Sequence, residues 1–259
     1  MKDFSGQTAL IFGASGGIGS KIAEKIEHQG ALTVLFGHKR KKLKKIIKTV
    51  YLSPKLYLSC DITDIPGLHR QVNKALKVAR KVDILFYCIG IGVNEPLETQ
   101  SLKLWKKTID INLNGAFYAI KMVLPSMIKN KYGRIVIISS RLGKMGMLGT
   151  AAYSASKHGL IGLTKSAALD LAKYNITVNS ICPGRVNTSM TQKTIKKIAE
   201  RLDESEKTIL DKFKRENAQN RLISPDEVAD LAIFLANKAS GSINGEAISI
   251  TGGQAFYTS

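Results

Sequence analysis

Tyr153, Lys157 and Ser140 have the side-chain types and the spacing needed to move a proton to or from a carbonyl oxygen. Lys157 follows Tyr153 by four residues, and Ser140 precedes Tyr153 by thirteen. Residues i and i+4 of a helix share a face, so the phenol and the ammonium would point into one space. A free tyrosine, with a pKa near ~10, exchanges protons poorly at neutral pH, and a nearby lysine charge is expected to lower that pKa. The pattern predicts acid–base chemistry on a ketone/alcohol pair.

Ser140 lies where an α/β protein would hold a ligand. It follows the apolar run Ile135 to Ile138, which has the character of a buried strand. Ligands of open α/β sheets lie at the carboxyl ends of the strands, so the Ser140 hydroxyl would face them. A Tyr-x-x-x-Lys pattern also arises by chance on the surface of ordinary helices, and the prediction therefore depends on the rest of the sequence.

A segment near the amino terminus has the residues of a phosphate-binding turn. Thr8 to Phe12 is apolar without alternation, as in a strand buried on both faces, and Ser20 to Gln29 has helical periodicity. Glycines between a strand and a helix let main-chain N–H groups approach a pyrophosphate, where the helix amino terminus favours negative charge. The predicted cofactor contacts in this turn are Gly13, Ser15, Gly16, Gly17, Ile18 and Gly19.

With these motifs in register, the chain resembles the short-chain dehydrogenase/reductase family over essentially its whole length. The glycine turn looks like the family's cofactor turn, and Ser140, Tyr153 and Lys157 fall at its catalytic spacing. The resemblance implies that Asn112 is the fourth catalytic residue and helps to hold a proton-relay water. The further cofactor contacts that it implies are Asp61, Ile62, Gly90, Tyr153, Lys157, Pro183, Gly184, Val186 and Thr188.

The chain departs from the family pattern at two places. Phe12 stands where the family usually has Thr, and Tyr87-Cys88-Ile89-Gly90 stands where it usually has Asn-Asn-Ala-Gly. In the family these positions support the sheet and line the adenosine side of the cofactor. The larger side chains are therefore expected to affect cofactor affinity and to leave the proton chemistry unchanged.

Short apolar runs alternate with segments of helical periodicity along the chain. The runs lie at residues 8–12, 31–36, 56–60, 84–89, 135–138, 176–181 and 247–250. This alternation predicts an α/β fold: a single-domain, Rossmann-type doubly wound sheet of about seven parallel strands with helices on both faces. We expect one dinucleotide-binding domain over residues 1–259. Ser224-Pro225-Asp226-Glu227 has the residues of a helix start.

Residues 188–222 are expected to form a substrate lid within that domain. Ser189 to Asn220 has the pattern of two amphipathic helices, and the family resemblance implies that such an insertion covers the substrate. Gly143 to Thr150 would form the opposite wall of the pocket. Its methionines suit an apolar or flexible acyl group, and they equally suit plain packing.

Several classes of protein are disfavoured by the composition. No apolar stretch approaches the ~20 residues needed to span a bilayer, and no signal-type segment precedes the first strand, so we expect a cytoplasmic protein without a membrane anchor. The three cysteines, an odd number, are expected to be buried free thiols. The four histidines show no metal-ligand spacing, and no metal site is expected.

Positive charge is the unusual property of the chain. It has 39 basic and 20 acidic residues, a net charge of +19. At the end of the second predicted strand, His38, Lys39 and Arg40 stand where the NAD-preferring members of the family carry an acid. A 2′-phosphate would meet cations there, which favours NADP. The rest of the run, Lys41 to Lys48, has the pattern of a solvated helix face with Leu43 inward.

Attraction to an acidic partner is one interpretation of the remaining charge. An acyl carrier protein or the phosphates of coenzyme A would qualify, and a lysine-rich compositional bias explains the charge equally well. Nucleic acid is not expected, because no basic–aromatic recognition module is present. The residues expected near the site mouth are Lys129, Lys131, Arg141, Lys144 and Lys173.

The resemblance is strongest to 3-oxoacyl-thioester and polyketide ketoreductases. It implies that NADPH reduces the ketone of a 3-oxoacyl thioester, bound to a carrier protein or CoA, to a 3-hydroxyacyl product, in a homotetramer. One alternative is an NAD-dependent dehydrogenase of a small hydroxy acid such as 3-hydroxybutyrate, whose carboxylate-binding positions correspond to Gly92, Leu142 and Thr150. Another is a noncatalytic cofactor-binding scaffold.

Overall fold

A seven-stranded parallel sheet organises the protein, as the alternation of apolar runs predicts. The computed structural model describes residues 3–49, 52–92 and 94–253. The strand order across the sheet is β3-β2-β1-β4-β5-β6-β7, and neighbouring strands run parallel. The strands are β1 (Thr8–Phe12), β2 (Leu32–Gly37), β3 (Leu56–Ser59), β4 (Ile84–Tyr87), β5 (Gly133–Ile138), β6 (Ile176–Pro183) and β7 (Ala247–Ile250).

Helices cover both faces of this sheet. One core layer joins the sheet to α1, α2 and α9, and the other joins it to α3, α5 and α6. The helices are α1 (Gly17–His28), α2 (Arg40–Thr49), α3 (Ile65–Ala79), α4 (Leu102–Ile109), α5 (Gly115–Asn130), α6 (Ala151–Leu171), α7 (Ser189–Leu202), α8 (Glu206–Arg215) and α9 (Pro225–Ala236). None of the helices in the described part of the chain combines the length and apolar character needed to cross a membrane.

Strand order reverses between β1 and β4, and this reversal creates the binding crevice. The chain winds outward from β1 through β2 to β3, then returns to place β4 on the other side of β1. The connections after β1 and β4 therefore leave the sheet on opposite faces and open a cleft at their carboxyl ends. The glycine-rich turn follows β1, and Ser140 follows β5, so the two predicted motifs lie along one edge of the sheet.

Local sequence signals account for several element boundaries. Ser224 caps α9, accepting a hydrogen bond from the Asp226 N–H (3.2 Å), while Glu227 accepts one from the Ser224 N–H (2.7 Å). This reciprocal pair is the predicted helix start. Gly30 ends the turn after α1 with φ +93°, a conformation that costs glycine little.

The predicted solvated face of α2 is also present. Leu43 is fully buried beneath β2, whereas Lys41, Lys42, Lys44, Lys45 and Lys48 are exposed. Most of this positive run therefore belongs to the helix surface.

The two departures from the family pattern meet in the core. Phe12 stacks on Phe36 with ring centroids 4.3 Å apart and planes inclined by 11°, and Tyr87 lies 6.5 Å from Phe12. All three side chains are buried in the layer under α3, α5 and α6. The enlarged side chains therefore contribute to packing between sheet and helices, where aromatic rings bury much apolar area.

Candidate active site

Lys157 is the most constrained residue of the predicted site. Its Nζ donates a hydrogen bond to the carbonyl oxygen of Ile138, the last residue of β5, at 2.9 Å. The Ser139 hydroxyl donates to the Lys157 carbonyl at 3.0 Å. The two hydrogen bonds of Lys157 thus connect helix α6 to the end of strand β5. Lys157 is 3% exposed, so its ammonium lies inside the protein.

Ser140 and Tyr153 lie together beside this lysine. Ser140 follows β5 in extended conformation, and its Oγ accepts a hydrogen bond from the Leu142 N–H at 3.1 Å, which fixes the hydroxyl at the start of a 3-10 turn. Tyr153 lies in the first turn of α6, with Lys157 Nζ 5.6 Å from its ring centroid. The predicted sharing of one helix face by Tyr153 and Lys157 is therefore present.

The surroundings of Tyr153 act on its pKa in both directions. Burial raises the pKa of Tyr153 above its ordinary value, and the opposing influences are a hydrogen bond with Ser140 and the charges of Arg185 and Arg141. The Lys157 ammonium is directed at the Ile138 carbonyl and lies 5.6 Å from the centroid of the tyrosine ring. That Lys157 lowers the tyrosine's pKa stays a prediction.

Lys157 itself has a pKa close to neutral pH. Burial lowers its pKa from 10.5 to about 8, and electrostatic interactions with Cys182 and Cys88 act in the opposite direction. A buried ammonium is disfavoured unless an anion compensates it. Here the ammonium donates its hydrogen bond to the Ile138 carbonyl, which is neutral.

Asn112 is fully buried and holds the main chain after β4. Its Oδ1 accepts from the Ile91 N–H at 2.8 Å, and its Nδ2 donates to the Ile91 carbonyl at 3.1 Å and to the Ser156 Oγ at 3.0 Å. It lies in a single π-helical turn, Asp110–Asn114, between α4 and α5. Such turns are rare and occur often at functional sites. A Cβ added at Gly90 would lie 3.4 Å from Lys157 Nζ and 3.6 Å from Asn112 Oδ1, so the two side chains flank this glycine.

The glycine-rich turn has the close packing expected of a phosphate cradle. Gly13 has φ +84°, and a Cβ there would lie 2.8 Å from the Cys88 carbonyl. A Cβ on Gly19 would lie 2.4 Å from the Gly13 oxygen. Gly16 occupies the N-cap of α1 without a side-chain cap. The amino end of α1 is therefore open to an anion, which fits the pyrophosphate of a dinucleotide.

The same turn contacts the segment before α7. A Cβ on Gly17 would lie 2.9 Å from Thr188 Cγ2. Thr188 caps α7, while Val186 is buried and forms a bridge with Ile223. Gly184 N–H donates to the Ile250 carbonyl at 2.9 Å. Of the predicted contacts, Thr188 therefore touches the glycine-rich segment, and Pro183, Gly184 and Val186 lie on the chain that leads to it from β6. Ser15 lies in the turn and Ile18 in the first turn of α1.

The corner predicted to select the cofactor is exposed and basic. His38, Lys39 and Arg40 all lie on the surface where β2 ends, and the Arg40 guanidinium lies 5.3 Å from the centroid of the Tyr57 ring. Asp61, next to this corner, accepts hydrogen bonds from the Thr63 N–H and hydroxyl, which lower the pKa of its carboxyl.

Ile62 differs from its neighbours in pointing away from this corner. Its side chain is 5% exposed, and a Cβ on Gly115 would lie 2.7 Å from it. The Ile62 side chain is therefore core, and only its main chain is available to a cofactor.

An arginine–glutamate cluster that the sequence did not predict lies beside Tyr153. Glu216, just after α8, forms ion pairs with Arg141 and Arg185, the latter at 3.0 and 3.1 Å. The Arg185 guanidinium also lies 3.6 Å from the centroid of the Phe213 ring. Arg141 directly follows Ser140, and Arg185 directly follows Pro183-Gly184. The cluster ties the α7–α8 segment to the floor of the site.

Arg141 lies near the predicted site, as expected, but it is not a free cation there. Its side chain is 5% exposed and paired with a carboxylate. Glu216 lies 75 residues along the chain from Arg141. The pair could not be read from local spacing, although the adjacency of each arginine to a predicted site residue was a usable signal.

Three of the lysines expected at the site mouth lie at the other end of the molecule. Lys129, Lys131 and Lys173 precede the amino ends of β5 and β6, whereas Ser140 and Tyr153 lie at the carboxyl ends. Lys173 follows Tyr153 by 20 residues, nearly all of them in α6, and at about 1.5 Å of rise per residue the two lie about 30 Å apart. The expectation that these three lysines lie near the mouth of the site in the same chain is therefore wrong. Lys144, by contrast, stays near the site and donates to the Ser249 hydroxyl at 2.9 Å.

Metal chemistry has no candidate ligand set in the part of the chain that the structure describes. No group of three or more His, Cys, Asp or Glu side chains is placed there to hold an ion.

Comparison with known proteins agrees with the architecture and the site. Residues 7–199 match the model of the family described as short chain dehydrogenase. A 3-oxoacyl-[acyl-carrier-protein] reductase of Rickettsia bellii is 34% identical over 253 residues, covering 98% of each chain.

Two solved structures are also similar over nearly the full length of both chains. An actinorhodin polyketide ketoreductase variant, crystallised with NADPH, gives a TM-score of 0.93 at 29% identity and covers 99% of each chain. Levodione reductase gives a TM-score of 0.92 at 26% identity, covering 98% of this chain and all 100% of that one.

The buried lysine gives a pH-dependent stability. An unfolded lysine, with a pKa near ~10.4, stays protonated to higher pH than folded Lys157, so stability must rise as pH increases between the two values. Relative to Lys157→Met, we expect the free energy of unfolding of the wild type to gain about 2 kcal/mol between about pH 7.5 and about pH 10. Urea denaturation of both proteins at each pH measures this. An equal difference at both pH values would contradict the buried, poorly compensated ammonium.

The Arg141–Glu216–Arg185 cluster gives a second prediction. Glu216→Gln leaves buried Arg141 without its counter-charge, and we expect a loss of about 2 kcal/mol in unfolding free energy. The matched control is Glu204→Gln in the same segment, whose partner Lys212 is exposed and whose loss should cost under about 1 kcal/mol. Thermal or urea denaturation compares them, and equal losses would show that the cluster is no more than a surface ion pair.

Proposed function

This protein belongs to the short-chain dehydrogenase family, and we propose that it reduces the ketone of a 3-oxoacyl thioester with NADPH. The chemistry of the family is oxidation and reduction at CH–OH and C=O groups. The observation that carries the proposal is the convergence of Asn112, Ser140, Tyr153 and Lys157 at the carboxyl edge of the sheet, beside the glycine cradle. The product would be the 3-hydroxyacyl thioester, carried on an acyl carrier protein or on CoA.

The side chains divide the reaction between them. NADPH, when bound, supplies the hydride that goes to the carbonyl carbon. The Ser140 hydroxyl donates a hydrogen bond to the carbonyl oxygen as it gains negative charge. The Tyr153 phenol then gives that oxygen its proton, which completes the alcohol.

Nearby positive charges stabilise the phenolate that Tyr153 becomes after it has given up its proton. Arg185 and Arg141 both act to lower its pKa and so stabilise the phenolate left by proton transfer. Lys157, with a pKa of about 8, can lose or gain a proton near neutral pH. It could therefore replace the proton that Tyr153 has given up, on the side of the site where Asn112 lies. Its position next to Gly90 also suits it to hold the nicotinamide ribose.

The α7–α8 segment is proposed to be the substrate lid. Its residue Met190 lies against Gly92, where a Cβ would be 3.6 Å from the sulfur, and Arg201 donates to the Asn94 amide oxygen at 2.9 Å. On the opposite wall Leu148 is 92% exposed. Apolar, flexible side chains on both walls favour an acyl chain over a sugar or a small charged acid.

A small hydroxy acid is the second candidate, and the pocket gives it less support. Leu142 is buried and apolar, and the Thr150 hydroxyl already donates to the Met147 carbonyl at 2.6 Å. The nearby arginines could bind a carboxylate, but Glu216 occupies them. The noncatalytic alternative depended on the departure at Tyr87, whose side chain lies in the core.

A cytoplasmic homotetramer completes the proposal. Exposed apolar side chains lie on α4, α5 and α6, the helices expected to pair between subunits, and large exposed surfaces of this kind favour association. They are Leu102, Trp105, Phe117 and Leu169. The free thiols of Cys60, Cys88 and Cys182 suit a reducing compartment.

The function is tested by an absorbance assay at the nicotinamide band with acetoacetyl-CoA. We expect the wild type to oxidise NADPH, and Tyr153→Phe, which removes only the phenol oxygen, to lose at least about 10³-fold in kcat. Circular dichroism of the variant controls for folding. Activity of the variant near the wild-type rate, or reduction of free acetoacetate by NADH with no turnover of the thioester, would contradict the proposal.

Cofactor choice is tested at the basic corner. Replacing Lys39 and Arg40 together with Ser removes two cations from the position of a 2′-phosphate. We expect the KM for NADPH to rise about tenfold or more, at about 1.4 kcal/mol per tenfold, with little change for NADH. Lys44→Ser and Lys45→Ser, in the same helix but on its solvated face, form the matched control. Equal changes for both cofactors would exclude a phosphate role.

A further inference from the structure

The phenol of Tyr87 makes a specific contact that packing alone does not require. Tyr87 is the last residue of β4 and is fully buried. Its hydroxyl donates a hydrogen bond to the carbonyl oxygen of Ile111 at 2.6 Å. A buried phenol needs such a partner, because an unpaired hydroxyl in the core is costly.

The partner carbonyl belongs to the one turn that carries Asn112. Ile111 lies within the π-helical turn Asp110–Asn114. The first residue of the following helix is Gly115, where a Cβ would lie 2.5 Å from the Tyr87 hydroxyl. The absence of a side chain at Gly115 therefore leaves the space in which the phenol reaches the turn.

The chain just after Tyr87 holds Asn112 from its other end. Ile91 exchanges two hydrogen bonds with the Asn112 amide, donating its N–H to Oδ1 at 2.8 Å and accepting from Nδ2 at 3.1 Å. The peptide that bears Asn112 and the side chain of Asn112 are thus both fixed by the end of β4. Both sets of hydrogen bonds come from one stretch of five residues, Tyr87 to Ile91.

Asn112 in turn contacts the part of α6 that carries Lys157. Its Nδ2 also donates to Ser156 Oγ at 3.0 Å, and Ser156 directly precedes Lys157. Asn112 Oδ1 and Lys157 Nζ both lie close to Gly90, 3.6 and 3.4 Å from the position that a Cβ on this glycine would take. A shift of the π-helical turn would therefore move Asn112 relative to Lys157.

We propose that Tyr87 is a positioning residue, whose hydroxyl fixes the π-helical turn and so places the Asn112 amide against Ile91 and Ser156, on the side of Gly90 where Lys157 also lies. Tyr87 does not touch the reacting atoms and acts through Asn112. The inference rests on the catalytic part given to Asn112 under the proposed function and is independent of the identity of the carbonyl substrate.

A double-mutant cycle tests this directly. Tyr87→Phe removes the hydroxyl and keeps the ring, and Asn112→Ala removes the group through which it acts. Kinetics are compared for the wild type, both single variants and the double variant. Tyr132→Phe is the matched control. The Tyr132 hydroxyl also makes a hydrogen bond away from open solvent, in which it accepts from Gln7 Nε2 at 3.1 Å, but it lies at the amino end of β5.

We expect Tyr87→Phe to lower kcat about fivefold to tenfold, in line with the loss of one hydrogen bond, with KM nearly unchanged. In the Asn112→Ala background the same change should have less than about a twofold effect, because coupled residues are not additive. Tyr132→Phe should leave kcat unchanged. An unchanged kcat in Tyr87→Phe, or an equal fold-loss in both backgrounds, would overturn the proposal.

Hydrogen–deuterium exchange gives a readout that needs no substrate. Tyr87→Phe should speed exchange of the main-chain amides of residues 110–116 by about tenfold relative to the wild type, with no such change in Tyr132→Phe. Unchanged exchange over this segment, or faster exchange spread through the whole sheet, would overturn the positioning role. If acetoacetyl-CoA is not turned over, this measurement still decides about Tyr87, and the two failures remain distinct.

Discussion

The buried ammonium of Lys157 is the constraint on which the rest of the site depends. A charge taken out of water is stabilised only by groups held in place around it, and the group that receives its hydrogen bond is the Ile138 carbonyl at the end of β5. That carbonyl is available because β5 ends there and the chain turns away at Ser139, whose hydroxyl holds the Lys157 main chain. The register between strand and helix follows from this pair of contacts. Tyr153, one turn earlier, then falls beside Ser140.

The glycine-rich turn is connected to the α7–α8 segment by direct contacts. Gly17, at the start of α1, lies against Thr188, which caps α7. The other end of the segment is held by Glu216 between Arg141 and Arg185. Both attachments are made to segments that also carry predicted site residues. A change at the glycine-rich turn and a change beside Ser140 would therefore each reach the α7–α8 segment by direct contact.

The elements and the candidates Ser140, Tyr153 and Lys157 could be predicted because their signals are local, whereas Asn112 came from the family resemblance. Strands buried on both faces give continuous apolar runs, a phosphate turn needs glycine at short spacing, and Tyr153 and Lys157 share a helix face whatever surrounds them. The arginine cluster could not be predicted, because Glu216 lies 75 residues from Arg141. The placement of Lys131 and Lys173 was missed for a different reason: spacing gives proximity within an element but not the end of the sheet at which a loop emerges. The raised pKa of Tyr153 follows from burial, which is a property of the folded chain.

The close approach of Gly115 to the Tyr87 hydroxyl limits how this sequence can change over time. A methyl group at position 115 would overlap the phenol oxygen at 2.5 Å and Ile62 at 2.7 Å. Alanine at 115 would therefore need room from both Tyr87 and Ile62, and a smaller residue at 87 alone would not provide it. A smaller residue at 87 would also remove the hydrogen bond that the phenol donates to the Ile111 carbonyl. The tyrosine at the end of β4 and the glycine at 115 thus constrain each other, and neither position can change freely by a single substitution.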